Sequence, residues 1–115
     1  MNFQDYSQKA LTTDNYDPDA PLDIISGNFM DKLLGLVGES GEIAEKIKKI
    51  IRDQEGILTE EQRLDFVKEL GDVLWYINAL AVRFDSSLEE VATKNNQKLA
   101  SRKARDKIHG SGDDR

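Results

Sequence analysis

The sequence predicts an all-α protein, folded as a four-helix bundle in one domain. Its 115 residues fit a single compact domain. Apolar residues recur at intervals of three and four, and no run alternates as a strand would. The only two prolines, Pro18 and Pro21, leave the rest of the chain free to be helical. We expect the domain to cover residues 1–108, with a flexible tail at 109–115.

Two helices separated by a loop are predicted in the first half of the chain. Residues 2–13 have the spacing of a short amphipathic helix, and the Asp, Asn and Pro residues at 12–21 indicate a loop. A second helix is expected to begin at Asn28, which can cap it, and to run to about Asp53. Gly56 marks its end.

The third helix has a defined start. Thr59 and Gln62 have the spacing of a capping box, and the helical pattern continues to about Phe84. Between residues 70 and 82 the only charged residue is Asp72. A helix that is apolar on nearly all sides is typically buried, so we expect this segment at the centre of the bundle or of a subunit interface.

A fourth helix follows after a short break. Ser86 or Ser87 can cap it, with Glu89 or Glu90 completing a second capping box. The helix is expected to extend to about Arg105.

Composition excludes several classes of function. No cysteine is present, and the single histidine, His109, lies in the polar tail, which argues against thiolate or imidazole metal sites and Ser-His catalysis. Sixteen basic and 22 acidic residues give a net charge of −6, which argues against a nucleic-acid partner. With no signal peptide and no membrane-spanning segment evident, we expect a cytoplasmic protein without a membrane partner.

Two acidic pairs carry the chemical signal. Glu39 and Glu42 are three residues apart, as are Glu69 and Asp72, so each pair lies on one helical face. The midpoint between positions 39 and 72 is 55.5, and the midpoint between positions 42 and 69 is the same. This midpoint lies beside the expected turn at Gly56. In an antiparallel hairpin of helices, positions equidistant from the turn lie at the same level. The four carboxylates are therefore predicted to converge.

A converging set of carboxylates needs counter-charges. Four negative charges in a partly dry site repel one another, and oxygen ligands favour Mg²⁺ or Mn²⁺. A di-iron bundle is excluded because no Glu-x-x-His pair is present. The alternative is ordinary ion pairing, in which Glu39 and Glu42 pair with Lys46 and Glu69 pairs with a nearby base.

Further candidate residues lie on the third and fourth helices. Asn95, Lys98 and Arg102 form a row that could meet a phosphate chain, although a solvated basic face has the same pattern. Trp75 and Tyr76 could stack on a nucleobase, although aromatic residues on an apolar helix are more often part of the core.

These segments resemble MazG-type members of the all-α nucleoside triphosphate pyrophosphohydrolase superfamily. The resemblance is carried by LLGLVGESGEIAEKIKK at 33–49, VKELGDVLWYINAL at 67–80 and NNQKLASR at 95–102. It implies a MazG-like four-helix bundle around an antiparallel central hairpin, assembled as a homodimer or homotetramer.

The resemblance also implies an activity. Such enzymes hydrolyse a nucleoside triphosphate between the α- and β-phosphates, giving a monophosphate and pyrophosphate. By the match, Mg²⁺, with Mn²⁺ as a substitute, is held by four carboxylates. Some relatives carry a further glutamate where this chain has Gly38, so we take Glu39 as the candidate that orients or deprotonates the attacking water. The four metal ligands are Glu39, Glu42, Glu69 and Asp72, and the substrate-binding residues are Lys46, Tyr76, Asn95, Lys98 and Arg102.

Two alternatives remain open at this point. One is a non-catalytic helical interaction module whose carboxylates form ordinary ion pairs. The other is a relative within the superfamily that is specialised for phosphoribosyl-ATP or for dUTP and dCTP.

Overall fold

The computed structural model describes residues 1–105 and Gly112, and this part of the chain contains four α-helices and no strand. The prediction of an all-α fold is confirmed. The predicted tail at 109–115 lies outside the described residues apart from Gly112. The helices are α1 (Phe3–Leu11), α2 (Gly27–Gln54), α3 (Glu60–Arg83) and α4 (Leu88–Ala104).

The start of α2 differs from the prediction. Ser26 caps the helix, because its hydroxyl accepts a hydrogen bond from the backbone N–H of Phe29 at 3.2 Å. Asn28 already lies inside the helix, and its side-chain oxygen accepts a hydrogen bond from Arg83 at 2.8 Å. The expectation that Asn28 caps α2 is therefore wrong, since its side chain holds α3 instead.

The remaining ends of α2 and α3 follow local chemistry that the sequence makes visible. The capping box of α3 is present, with Thr59 and Gln62 bonding each other's backbone N–H. Helix α2 ends where Glu55 and Gly56 adopt left-handed φ values of 55° and 77°. Glycine has no Cβ to clash in that conformation, which explains the turn at this position.

At α4, only half of the predicted capping box forms. The Ser87 hydroxyl accepts a hydrogen bond from the backbone N–H of Glu90 at 3.1 Å. The Glu90 carboxylate, however, accepts a hydrogen bond from the Ser86 hydroxyl at 2.7 Å. Both serines proposed as caps therefore contribute to this helix start, in different ways.

A long seam between α2 and α3 organises the molecule. Near the connection, the side chains of Gln54 and Gln62 exchange two hydrogen bonds of 2.9 Å. At the far end, Asn28 of α2 bonds Arg83 of α3. Helices α1 and α4 pack against each other and against α3, whereas α2 packs on α3 alone among the described helices. Side chains of α2 therefore meet those of the other described helices only along this seam.

The apolar segment of α3 is only partly buried. Asn78, Ala79 and Ala81 are buried beneath the other helices, whereas Leu70 is 56% exposed. The beginning of the segment at 70–82 is thus not buried by the described helices of one chain, and its burial in a subunit interface stays a prediction. Within residues 1–105, no helix has the length and apolar character needed to cross a lipid bilayer.

Candidate metal centre

Three carboxylates meet across the seam between α2 and α3. Glu69 and Asp72 lie one turn apart on α3, and Glu39 reaches them from α2. One oxygen from each of the three groups lies within 4.8 Å of the other two. Glu39 and Glu69 are half-buried and Asp72 is exposed, so solvent reaches this cluster from one side. We call these three residues the acidic cluster.

Glu42, the fourth predicted ligand, is not part of the acidic cluster. It lies one turn after Glu39 on α2 and is exposed. Its negative charge nevertheless acts on Glu39. The structure therefore brings together three of the four acids that the sequence paired and leaves Glu42 at the edge.

Electrostatic repulsion is concentrated on Glu39. Its partial burial raises the pKa of this carboxyl, and the negative charges of Glu42, Asp72 and Glu69 raise it further. The positive charge of Lys46 acts in the opposite direction. A carboxyl in such surroundings is stabilised by either a proton or a cation.

Lys46 of α2 supplies one positive charge to the cluster. Its ammonium donates a hydrogen bond to Oε1 of Glu69, and the two groups form an ion pair across the seam. This bond, followed by the charges of Glu69 and Glu42, raises the pKa of Lys46. Sequence analysis left open that Glu69 pairs with a nearby base, and Lys46 is that base.

A tyrosine of α1 lies near the cluster, which sequence analysis did not foresee. Burial raises the pKa of the Tyr6 phenol, and the negative charge of Asp72 raises it further. In the sequence, Tyr6 reads as one apolar position of an amphipathic helix. No local pattern links it to a residue 66 positions away.

Tyr76 lies one turn beyond Asp72 and is packed against α2. A Cβ added to Gly35 would overlap the Tyr76 ring, so the absence of a side chain at Gly35 permits this approach. The ring also meets Trp75 edge-on, with centroids 5.0 Å apart. The ring of this predicted substrate-lining residue is thereby held against α2, one helical turn beyond Asp72.

Trp75 is fixed by polar contacts on its other side. Its indole N–H donates to the hydroxyl of Thr13 at 2.9 Å, and the Lys32 ammonium lies 5.2 Å from the ring centroid. These contacts tie the loop after α1 to α3. Trp75 therefore has a clear role in packing.

The three residues of the predicted phosphate-binding row on α4 differ in their exposure to solvent. Asn95 is exposed, Lys98 is half-buried and Arg102 is only 4% exposed. Arg102 donates a hydrogen bond to the backbone oxygen of Gly112 at 3.2 Å. The alternative of a solvated basic face therefore fails for Arg102, because this side chain is buried.

A second charged group lies at the far end of the seam. Both terminal nitrogens of Arg83 donate to Asp14 at 2.8 Å, and the Lys32 ammonium lies 3.7 Å from the same carboxylate. All three side chains are at most 7% exposed. Burial raises the pKa of Asp14, but the hydrogen bonds and charge of Arg83, with the charge of Lys32, outweigh it and lower the pKa. We call these three residues the buried ion network.

The acidic cluster suits a hard divalent cation. All its donors are carboxylate oxygens, the ligands that Mg²⁺ and Mn²⁺ prefer. Oxygens about 2.1 Å from an octahedral Mg²⁺ are roughly 3 to 4.2 Å apart. A set within 4.8 Å needs only small side-chain rotations to reach that spacing. The residues therefore fit the ion that the sequence predicts.

Comparisons with known proteins give the family of the chain. The MazG nucleotide pyrophosphohydrolase domain matches residues 30–105, which include the acidic cluster and all of α3. The Gene 37 protein of Mycobacterium phage L5 is 55% identical over 82 residues, covering 71% of this chain and 72% of the phage protein. No solved structure matches the chain. The chain belongs to the MazG nucleotide pyrophosphohydrolase family, as its sequence resemblance indicated.

Proposed function

We propose that the protein is a Mg²⁺-dependent nucleoside triphosphate pyrophosphohydrolase that cleaves between the α- and β-phosphates. One observation carries this proposal: Glu39, Glu69 and Asp72 bring three oxygens within 4.8 Å across the α2–α3 seam. Membership of the MazG family supports the reaction class. The products are a nucleoside monophosphate and pyrophosphate.

Glu39, Glu69 and Asp72 are the proposed metal ligands, joined by Glu42 from the edge of the cluster. When bound, Mg²⁺ or Mn²⁺ would neutralise charge on the protein and the triphosphate and polarise the phosphoryl group. An antiparallel hairpin of α2 and α3 is part of this proposal, since it sets Glu39 level with Asp72 and Glu42 level with Glu69.

Glu39 is the proposed group that orients or deprotonates the attacking water. Its carboxylate lies within the acidic cluster, so a water bound at the proposed metal would be within its reach. The water oxygen bonds to the α-phosphorus while the bond from that phosphorus to the bridging oxygen breaks. The water proton passes to Glu39, and pyrophosphate leaves with the bridging oxygen.

Cationic and polar side chains are proposed to hold the phosphate chain and the nucleoside. Lys46 is exposed and bonds Glu69, and Tyr76 packs on α2 at Gly35, one turn beyond Asp72. The α4 row supplies an amide and two further cations. The proposed substrate-binding residues are Lys46, Tyr76, Asn95, Lys98 and Arg102.

The activity is tested by measuring pyrophosphate release from a panel of canonical and damaged nucleoside triphosphates, with and without Mg²⁺. We expect metal-dependent release from at least one of them. The panel should include dUTP, dCTP and phosphoribosyl-ATP, which would identify a specialised relative. Absence of release from every compound would reject the proposal.

The Lys46–Glu69 ion pair favours one competing function, a non-catalytic helical module. In that case the acids would need no metal, because ordinary ion pairing would suffice. Metal titration separates the two functions. A metal site gains thermal stability with Mg²⁺ or Mn²⁺, whereas a module held by ion pairs does not.

We also propose that the chain forms a homodimer or homotetramer through the face of α2 that points away from α3. Leu34, Val37 and Ile51 on this face are each more than 60% exposed. Acidic residues prevail in the first part of α2 and basic residues near its end, so a second, antiparallel copy would place opposite charges together.

Light scattering tests this assembly. The Val37→Glu variant should be monomeric at micromolar concentration. Ile57→Glu provides the matched control, because Ile57 is similarly exposed but lies in the α2–α3 connection. A wild-type monomer, or a Val37→Glu variant with wild-type mass, would exclude this interface.

A further inference from the structure

Glu69 is shared between two kinds of positive charge. Its Oε1 accepts a hydrogen bond from Lys46, and a Glu69 oxygen is also part of the acidic cluster. A carboxylate accepts at both oxygens, so an ammonium and a metal ion bound to Glu69 would lie close to each other. An ammonium and a divalent cation on one carboxylate also repel each other. Lys46 and a metal ion therefore compete for Glu69.

The two partners of this ion pair differ in mobility. The Lys46 side chain is 48% exposed, whereas the Glu69 side chain is 18% exposed. Glu69 is held among its neighbours, while the flexible stem of Lys46 approaches from the solvent side. Both residues line a groove of about 250 Å³ between α2 and α3, which gives the lysine room to move without shifting either helix.

We propose that Lys46 is an exchangeable counter-ion, which gives up Glu69 to a divalent metal and then binds the phosphate chain of the substrate. This inference rests on the proposed function, since it requires a metal and a polyphosphate at the acidic cluster. Once it leaves Glu69, the ammonium keeps three donors at the exposed edge of the site. Charge-assisted hydrogen bonds to phosphate oxygens then replace the bond to Glu69.

This exchange links metal loading to phosphate binding through one side chain. With Lys46 on Glu69, the cluster is partly neutralised and metal binding is opposed. With a metal on Glu69, the lysine is available to an anionic ligand. We therefore expect Lys46 to weaken the binding of metal alone and to strengthen the binding of a polyphosphate to the metal-loaded protein.

The first experiment measures Mn²⁺ binding without nucleotide, by calorimetry or by the paramagnetic signal of free Mn²⁺. Lys46→Met should bind Mn²⁺ about two- to fivefold more tightly than wild type, the range expected for loss of a largely exposed ion pair. Lys49→Met is the matched control, because it removes the same charge from the same helix and lines the same groove. It should change the affinity less.

The outcomes of this experiment are distinct. If Lys46→Met binds Mn²⁺ no more tightly than Lys49→Met, the exchange is rejected while the metal site stands. If wild type binds no Mn²⁺, the proposed metal centre is rejected, and the exchange with it. Melting curves without metal check that each variant folds.

The second experiment adds inorganic tripolyphosphate at saturating Mn²⁺. Lys46→Met should bind it about tenfold more weakly than wild type, the loss expected for one charge-assisted hydrogen bond. Lys49→Met should bind it nearly as wild type does. Equal affinity of Lys46→Met and wild type would overturn the transfer of Lys46 to phosphate.

Discussion

The two charged groups along the α2–α3 seam are built in opposite ways. In the buried ion network, Arg83 and Lys32 meet Asp14, and Lys32 also bonds the exposed Asp31 at 3.0 Å, so two bases face two acids. In the acidic cluster, three acids share the single ion-pairing base Lys46 among the described residues. The first group lies in the protein interior, and the second opens to solvent. A balanced, enclosed set of charges has no capacity left for a ligand, whereas an unbalanced, accessible set is suited to one.

Hydrogen bonding sharpens the contrast. Arg83 uses its guanidinium nitrogens on Asp14, Asn28, Asn15 and the backbone oxygen of Ala79. These contacts occupy its five N–H donors, so none is left for a substrate. In the acidic cluster, burial and the charges of the neighbouring carboxylates instead raise the pKa of Glu39. Substitutions in the two groups should therefore affect different properties.

The largest effect is expected from Asp72→Asn. This change removes one ligand charge from the acidic cluster, so the rate of pyrophosphate release should fall by about 10²- to 10³-fold. The gain in thermal stability with Mg²⁺ should disappear as well. Kinetics and metal-dependent melting measure the two results on the same sample.

Glu45→Gln is the matched control for that change. Glu45 is an exposed acid of α2 outside the acidic cluster, so its amide variant should retain activity and the response to metal. Stability without metal should be unchanged or higher in Asp72→Asn, because repulsion with Glu39 and Glu69 is reduced. A marked loss of stability without metal would show instead that Asp72 stabilises the fold.

Asp14→Asn should act on stability. Breaking a buried ion pair while its bases stay buried costs about 3 kcal/mol of unfolding free energy. Urea denaturation measures this loss, and Mn²⁺ affinity at low temperature should remain that of wild type. Asp17→Asn is the control, because Asp17 is exposed and its side chain bonds only the nearby backbone N–H of Asp19 among the described contacts. A stable Asp14→Asn variant would contradict the structural role of the network.

The sequence predicted the acidic cluster better than the buried ion network, for a physical reason. Mirrored spacing about Gly56 places Glu39 near Asp72 because both lie on regular helices joined by a short turn. The bond between Asp14 and Arg83 spans 69 positions and begins in a loop, where no periodicity applies. Asp14 therefore looked like one of several loop acids.

Contacts between side chains of different helices also could not be predicted from the sequence. Helix boundaries follow from local caps, so the start of α3 at Thr59 could be predicted. The selection of Glu69 by Lys46, and the approach of Tyr6 to Asp72, depend on how separate helices pack. These contacts require tertiary structure, and spacing alone does not define them.

A smaller effect is expected from Gly35→Ala. The new methyl group would overlap the Tyr76 ring, and overpacking of this kind costs about 1 to 3 kcal/mol of unfolding free energy. Displacement of Tyr76 should also raise KM more than it lowers kcat, since the proposed role of Tyr76 is in substrate binding. Urea denaturation and steady-state kinetics measure the two effects.

Gly38→Ala distinguishes this clash from a general effect of alanine. Nothing lies within 4 Å of a Cβ at Gly38, so alanine there should stabilise the helix by up to about 1 kcal/mol. In a Tyr76→Ala background, Gly35→Ala should lose most of its cost. Equal cost in both backgrounds would show that the ring is not the obstacle.

The smallest effect is expected in the pH dependence of stability, where the two charged groups have opposite signs. The pKa of Glu39 is raised above its ordinary value of 4.5, so the folded protein takes up this proton first as pH falls. Its contribution makes the protein more stable as pH falls through the raised pKa towards 4.5. The pKa of Asp14 is lowered below its ordinary value of 3.8. The unfolded chain takes up that proton first, so the stability from Asp14 is lost below pH 3.8.

Urea denaturation between pH 7 and pH 3, with a chelator present, separates these contributions. Relative to wild type, Glu39→Gln should lack the gain above pH 4.5, and Asp14→Asn should lack the loss below pH 3.8. Each variant removes one titrating carboxyl and leaves the other group intact, so each serves as the control for the other. If Glu39→Gln followed the wild-type profile above pH 4.5, repulsion within the acidic cluster would be too weak to require a cation. The acidic cluster would then not differ from the buried ion network in its need for a cation.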